Sequence, residues 1–254
     1  MSASPIIYFS QFKKFPDLVH GISTRSWGNM ALTVNGQPAS RQSVFNNRQQ
    51  LARQLKIKPQ NIYEVKQAHS SKIIILDKTG FKNYRSVEAD GLITNLPQVF
   101  LLIKTADCLP LLFYDPVKQV VAAIHSGWRG TTGKIFLLAV LKMINHFGCQ
   151  AKDLLVGIGP SISSCCFEGK TMWQTELPEW QPFIFKQNNQ FHVDQPAFVK
   201  QQLIEGGIEP KKISIIDECT SCMPQWFSHR AALAGNQSKN GRFASIIGIK
   251  HGIR

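Results

Sequence analysis

Several common signals are missing from this chain. No stretch approaches the about 20 uninterrupted apolar residues needed to cross a bilayer. The longest apolar region, Val99 to Phe113, is broken by Lys104 and Asp107. The amino-terminal MSASPIIYFSQFKKFPDL lacks the basic start and apolar run of a secretory signal, so a cytoplasmic protein is expected. There is no internal repeat, no low-complexity tract and no linker rich in Pro, Gly or Ser, which favours one domain over residues 1–254. Acidic residues are scarce, 16 against 29 Lys and Arg, leaving a net charge of +13. Such an excess suits phosphate-bearing small molecules, nucleic acid or an acidic surface; it also suits a plain cationic coat. No dense Lys/Arg run marks a nucleic-acid tract, so net charge is the only support for that partner. Six cysteines, at 108, 149, 165, 166, 219 and 222, are too sparse for a disulfide-stapled fold. They are free thiols, metal ligands or catalytic groups.

What is present reads as strands interleaved with helices. Val44, Leu51 and Leu55 give helical spacing over 41–56. IYEVKQAHSSKIIILD reads as two short strand-like runs around a polar turn, and VFLLIKT, LPLLFYD and QVVAAIHS as three further strands. Asp115 and Pro116 in YDPVKQ supply turn chemistry, so the last two strands are expected to form a hairpin. KIFLLAVLKMINHFG is an amphipathic helix closed by Gly148, and AFVKQQLIEGGI another ending at Gly206 or Gly207. DLLVGIGP, KISIID and FASIIGIK complete the strands. This order predicts an α+β fold, a single domain with mixed sheets flanked by helices.

Polar groups sit where core strands should have none. Asp107 and Cys108 lie at the start of one strand of the expected hairpin, and His125 and Arg129 at the end of the other segment. The hairpin would bring Cys108 and His125 together. A thiol beside an imidazole suits either a Cys–His nucleophilic pair or a transition-metal site. A metal needs a third ligand, for which His69 in its polar turn is a candidate. The plainer alternative is a buried cysteine packed as a small hydrophobe, with surface histidines. Arg129 lies in SGWRGTTG, between a strand and a helix, where free backbone amides and a guanidinium both suit an anion; equally, it could pack on Trp128. Arg25 in GISTRSWGN and Arg48 in NNR could also meet an anion or simply be solvated. The CTSC pair, Cys219 and Cys222, would need two more ligands to hold zinc, and His229 is alone nearby; free thiols are expected. Adjacent Cys165 and Cys166 are expected to be structural.

The blocks KQAHSSKI, EADGLIT, TADCLPLLFYDP, AAIHSGWRGT, GIGPSISSCCFEG and DECT, with STRSWGN and NNR before them, resemble a known bacterial family. Its members were once called multicopper polyphenol oxidases or laccase-like proteins. They are now described as purine nucleoside phosphorylases with adenosine deaminase side activity. The resemblance implies a zinc held by His69, Cys108 and His125, with purine nucleosides (adenosine, inosine, guanosine, methylthioadenosine) and phosphate as substrates. It also implies a fold related to a toxin deamidase that uses a Cys–His pair. Among groups flanking the implied ligands, Arg48 and Arg129 are expected to bind phosphate. Asp107 is expected to handle a proton or orient a ligand, and Gln67 to place the base. Arg25 is a further anion contact, and a monomer is expected. The carboxyl-terminal segment departs from the family's pattern: His229 stands for a Tyr, Ala231 for a second Arg, and the following loop is longer. Other classes remain open: a copper-dependent phenol oxidase, a zinc-free Cys–His hydrolase, and editing of cell-wall precursors in the cytosol. Two histidines and one cysteine are too few for several coppers, and the chain has no His-x-His pair.

Overall fold

The computed structural model describes residues 6–77, 87–237 and 240–251. Two large sheets pack face to face with helices on both outer surfaces. The five-stranded sheet runs Ile6–Ile7, Leu18–Ser23, Phe243–Ile249, Phe100–Thr105, Ile62–Tyr63. The six-stranded sheet runs Ile213–Ile215, Leu155–Ile158, Leu109–Asp115, Val120–Ser126, Gly91–Thr94, Ile73–Leu76. Pairing is antiparallel except where Ile62–Tyr63, Ile73–Leu76 and Ile213–Ile215 each join in parallel, so both sheets are mixed.

Alternation along each strand accounts for the layering. Leu101 and Ile103 point between the sheets with Leu112, Tyr114, Val121 and Ala123. Their neighbours Phe100 and Leu102 face the helix Arg41–Gln54 through Leu51, Ala52 and Leu55. On the other side, Leu111, Phe113, Ala122 and Ile124 pack on the helices Ile135–Phe147 and Gln195–Glu205 through Phe136, Val140, Phe198 and Leu203. Both faces of the central strands are therefore buried, which is why VFLLIKT and LPLLFYD are continuously apolar rather than alternating.

The expected hairpin is present. Asp115 Oδ1 accepts from the N–H groups of Val117 (2.8 Å) and Lys118 (2.9 Å), and Gln119 takes φ 51° to close the turn. The resulting register sets His125 opposite Pro110 and Ser126 opposite Leu109, so Cys108 lies beside the histidine. Elements without a sequence expectation include Leu18–Ser23, Gly91–Thr94, the short helix Trp128–Thr132, and a small sheet of Glu168–Gly169, Gln190–Val193 and Ile184–Gln187. The expected run IYEV pairs only over Ile62–Tyr63. Residues 238 and 239 of the longer carboxyl-terminal loop lie outside the described residues. Among the described residues no helix is long and apolar enough to cross a membrane.

Candidate metal centre and its cleft

His69, Cys108 and His125 converge, their ligand atoms all within 4.8 Å of one another. Each arrives differently. His125 ends a buried strand and is itself buried. Cys108 precedes the partner strand, following Asp107 at φ 79°. His69 is held at φ 57° in an exposed turn. The Cys108 Sγ lies 3.7 Å from His69 Nε2, and the two imidazole rings meet edge to face with centroids 4.8 Å apart.

Asp90 organises this set, and the sequence reading assigned it no role. Its carboxylate is fully buried at the start of Gly91–Thr94. It pairs with His125 Nδ1 at 2.7 Å. It also accepts from the backbone N–H groups of His69 (3.0 Å) and Ser70 (2.6 Å) and from Ser70 Oγ (2.7 Å). One carboxylate thus orients one ligand ring and folds the turn that carries another. Burial disfavours its ionisation, but His125 and Ser70 outweigh that and hold its pKa below the usual value. Burial likewise opposes charge on the Cys108 thiol, yet the facing His125 and His69 bring it down to about 6. Burial would depress His125, while Cys108 and Asp90 push it up to about 9.

The donor set fits a metal ion on its own chemistry. Two imidazole nitrogens and one thiolate suit zinc or another borderline-soft cation, and three protein ligands leave a position for a further group. A carboxylate behind a ligating imidazole is the usual outer support of such a centre. Gly127 supplies the clearance: a Cβ there would lie 2.6 Å from His69 Cδ2 and 3.3 Å from Cys108 Sγ.

The three side chains face a cleft of about 1220 Å³. Phe45, Trp128 and Phe167 contribute aromatic surface, and Arg129, Arg230 and Arg242 contribute positive charge. The remaining sequence candidates divide sharply. Asp107 lines the cleft, but Thr220 Oγ1 donates to its Oδ1 and the Arg230 N–H to its Oδ2, both at 2.7 Å. Arg48 also lines it, with its fork filled: Nη1 and Nη2 reach the Glu64 carboxylate at 2.6 and 3.1 Å, and Nε and Nη2 reach Met30 O. Glu64 is shared with the Lys104 ammonium. Gln67 is spent on the backbone of Lys104, donating to its carbonyl at 2.8 Å and accepting from its N–H at 2.9 Å. Arg129 stacks 4.6 Å over the Trp128 ring, as one sequence alternative had it, and its guanidinium hydrogen-bonds to no described residue. Arg25 does not line the cleft; it lies 5.7 Å over the Phe227 ring. His229 does line it, and its buried Nδ1 has no hydrogen-bond partner among the described residues.

The cysteines correct the sequence reading. The CTSC pair is not isolated: Cys165 and Cys166 meet Cys219 and Cys222 in a second cluster whose sulfurs all lie within 4.8 Å of one another.

Fold and site together define a mixed α/β protein with a candidate three-ligand metal centre lining a ligand-sized cleft. The chain belongs to the family described as multi-copper polyphenol oxidoreductase laccase, whose model matches residues 15–250. It is 30% identical over 255 residues to the purine nucleoside phosphorylase YlmD of Bacillus subtilis, covering 92% of this chain and 89% of that protein. It is 31% identical over 231 residues to the mouse purine nucleoside phosphorylase LACC1, covering 84% of this chain but 53% of that longer protein. The crystal structure of YlmD from Geobacillus stearothermophilus superposes with a TM-score of 0.83 at 28% identity, covering 93% of both chains.

Proposed function

We propose that this protein is a zinc-dependent purine nucleoside phosphorylase acting on adenosine, inosine, guanosine and methylthioadenosine, with an adenosine deaminase side activity. The observation that carries the reading is the opening of the His69–Cys108–His125 set into a cleft with both aromatic and cationic walls. The names of its relatives, purine nucleoside phosphorylases of bacteria and mouse, support it. A cytoplasmic setting agrees with six cysteines of which none is paired in a disulfide.

Phosphorolysis forms a bond from a phosphate oxygen to the anomeric carbon as the glycosidic C–N bond breaks. The electron pair stays with the purine, which takes up a proton, and ribose 1-phosphate is the other product. Among the candidate cations Arg129 is best suited to phosphate, because its donors are uncommitted while those of Arg48 are held by Glu64. Stacking on Trp128 fixes the guanidinium plane at the cleft wall. His229 lines the cleft, where its imidazole is the group assigned to meet the leaving purine. Burial and the nearby Arg242 lower its pKa, so it serves as a neutral donor or acceptor rather than a fixed cation. Asp107, with both oxygens occupied, positions Thr220 and the Arg230 backbone at the cleft wall. A zinc bound by the three ligands would supply Lewis acidity toward a bound water or purine substituent, the chemistry that deamination requires.

Incubating the purified protein with inosine or adenosine, with and without phosphate, tests the reading. Phosphate-dependent release of base and ribose 1-phosphate is expected, with ammonia from adenosine alone. Zinc without nucleoside turnover would redirect the search, to cell-wall precursors first. A second reading rests on the depressed Cys108 thiol beside His125: a metal-free Cys–His hydrolase. That enzyme would be killed by thiol alkylation and indifferent to chelators, whereas the phosphorylase would lose activity on chelation. Copper oxidation of phenols is less well supported, because the described residues offer one mixed histidine–cysteine set and one all-cysteine set.

A further inference from the structure

Cys165, Cys166, Cys219 and Cys222 lie apart from the His69–Cys108–His125 set and take no part in the chemistry above. We propose that they form a second metal site, a tetrathiolate that holds a single zinc ion and clamps one wall of the cleft.

The geometry is that of a mononuclear site. With Zn–S bonds of about 2.3 Å, sulfurs at the corners of a tetrahedron stand about 3.8 Å apart. Here Cys222 Sγ lies 3.6 Å from Cys165 Sγ and 3.3 Å from Cys166 Sγ, and no pair in the cluster exceeds 4.8 Å. Two tight turns deliver the four ligands. In one, the N–H groups of Cys166 and Phe167 both donate to Ser163 O at 2.9 Å. In the other, the N–H groups of Cys222 and Met223 donate to Cys219 O at 3.2 and 3.0 Å. The Ser163 N–H points at Cys219 Sγ, 3.5 Å away, the kind of support that a ligating thiolate receives. Parallel pairing of Ser161 with Cys219 holds the turns together, with the Thr220 N–H on Ser161 O at 2.9 Å. The spacing between the two pairs, 56 residues from Cys166 to Cys222, explains why neither looked like a metal motif alone.

Charge and location agree with a bound divalent cation. Four thiolates and one zinc carry a net charge of −2. The Arg230 guanidinium, which donates to Cys166 O at 2.8 Å, is the adjacent cation. Cys219 is buried while Cys165 and Cys222 are exposed, so the cluster sits at the surface, where unligated neighbouring thiols would be open to oxidation. The clamp continues into the cleft. Thr220, inside the CTSC turn, donates to Asp107, and Arg230 joins Cys166 O to Asp107 through its side chain and backbone. Ile162, Phe167, His229 and Arg230, all at or near these turns, line the cleft.

Zinc content per chain, measured on protein purified under reductant, tests the proposal without reference to nucleoside turnover. Wild type is expected to hold two zinc ions, and Cys108→Ala one. X-ray absorption on zinc-loaded Cys108→Ala, which leaves the cluster intact, is expected to show a shell of four sulfurs and no nitrogen. The double variant Cys219→Ser/Cys222→Ser is expected to lose one zinc and to unfold at a lower temperature. If it does not fold, the Cys108→Ala spectrum still decides. A folded Cys108→Ala protein with no zinc, or a shell containing nitrogen, would overturn the proposal. So would a disulfide among the four cysteines in freshly reduced, zinc-supplemented protein.

Discussion

Replacing Asp90 with Asn keeps shape and volume but removes the charge on which the centre is built. The native carboxylate accepts from His125 Nδ1, from Ser70 Oγ and from the N–H groups of Ala68, His69 and Ser70, at 2.6 to 3.3 Å. An amide has one accepting oxygen and presents its NH2 to donors. At least one of the two oxygen positions would therefore face N–H groups with a donor of its own. Hydrogen bonds to a charged group are worth about 1.5–3 kcal/mol each, but they act here as one network and do not sum. Removing one partner of a buried ion pair costs about 3–5 kcal/mol, which sets the expected loss. In a chain of this length each kcal/mol moves Tm by about 2–4 °C, so calorimetry of Asp90→Asn should show a fall of about 10 °C. Loss of such an outer partner should also weaken metal affinity about 10–100-fold in a chelator competition. A variant within about 2 °C of wild type, with unchanged affinity, would refute the assignment of Asp90 as organiser of both histidines.

Other perturbations have distinct readouts. Gly127→Ala places a Cβ against His69 and Cys108, so metal should be lost in a protein whose circular dichroism is unchanged. Arg129→Ala should raise the KM for phosphate by about tenfold to a hundredfold, the worth of a charge-assisted contact, leaving the metal in place; full activity at low phosphate would remove Arg129 from the site. His20 is buried and accepts from the Phe9 N–H at 3.0 Å. Burial lowers its pKa from 6.5 to about 4, so the unfolded chain binds the proton first. Stability should therefore fall as the pH drops from 6.5 towards 4, by up to about 3 kcal/mol, and His20→Phe should flatten that limb in denaturant titrations. Glu64 is held below the usual carboxylate pKa by Lys104 and Arg48 against the opposing effect of burial. Its stabilisation is present above the ordinary carboxylate range and is lost as pH falls through its lowered pKa; Glu64→Gln should weaken that acid dependence.

The central hairpin was legible because two signals agreed: continuous apolar runs for strands buried on both faces, and an Asp-Pro turn between them. That hairpin alone brings Cys108 to His125. His69 was a candidate third ligand from its polar turn alone, but only the family resemblance joined it to the other two, since its contact with Cys108 spans 39 residues and depends on a left-handed turn. Asp90 stood in a quoted motif without a role because its partners lie 20 to 35 residues away. Arg48 shows the opposite failure. Its residue type suited an anion, but Glu64, 16 residues further along, had already claimed it. The two cysteine pairs were each weighed alone, and only the Ser161–Cys219 pairing makes them one cluster. Leu18–Ser23 escaped notice because His20 and Gly21 interrupt its strand pattern, although all six residues are buried.

Whether the three-ligand centre drives phosphorolysis is decided by assaying inosine with wild type and Cys108→Ala side by side, with the fold of each verified and phosphate present or absent. Wild type should give phosphate-dependent hypoxanthine and ribose 1-phosphate, and the variant only background. Undiminished phosphorolysis by folded Cys108→Ala would contradict that expectation, because the reaction would then proceed without the three-ligand centre.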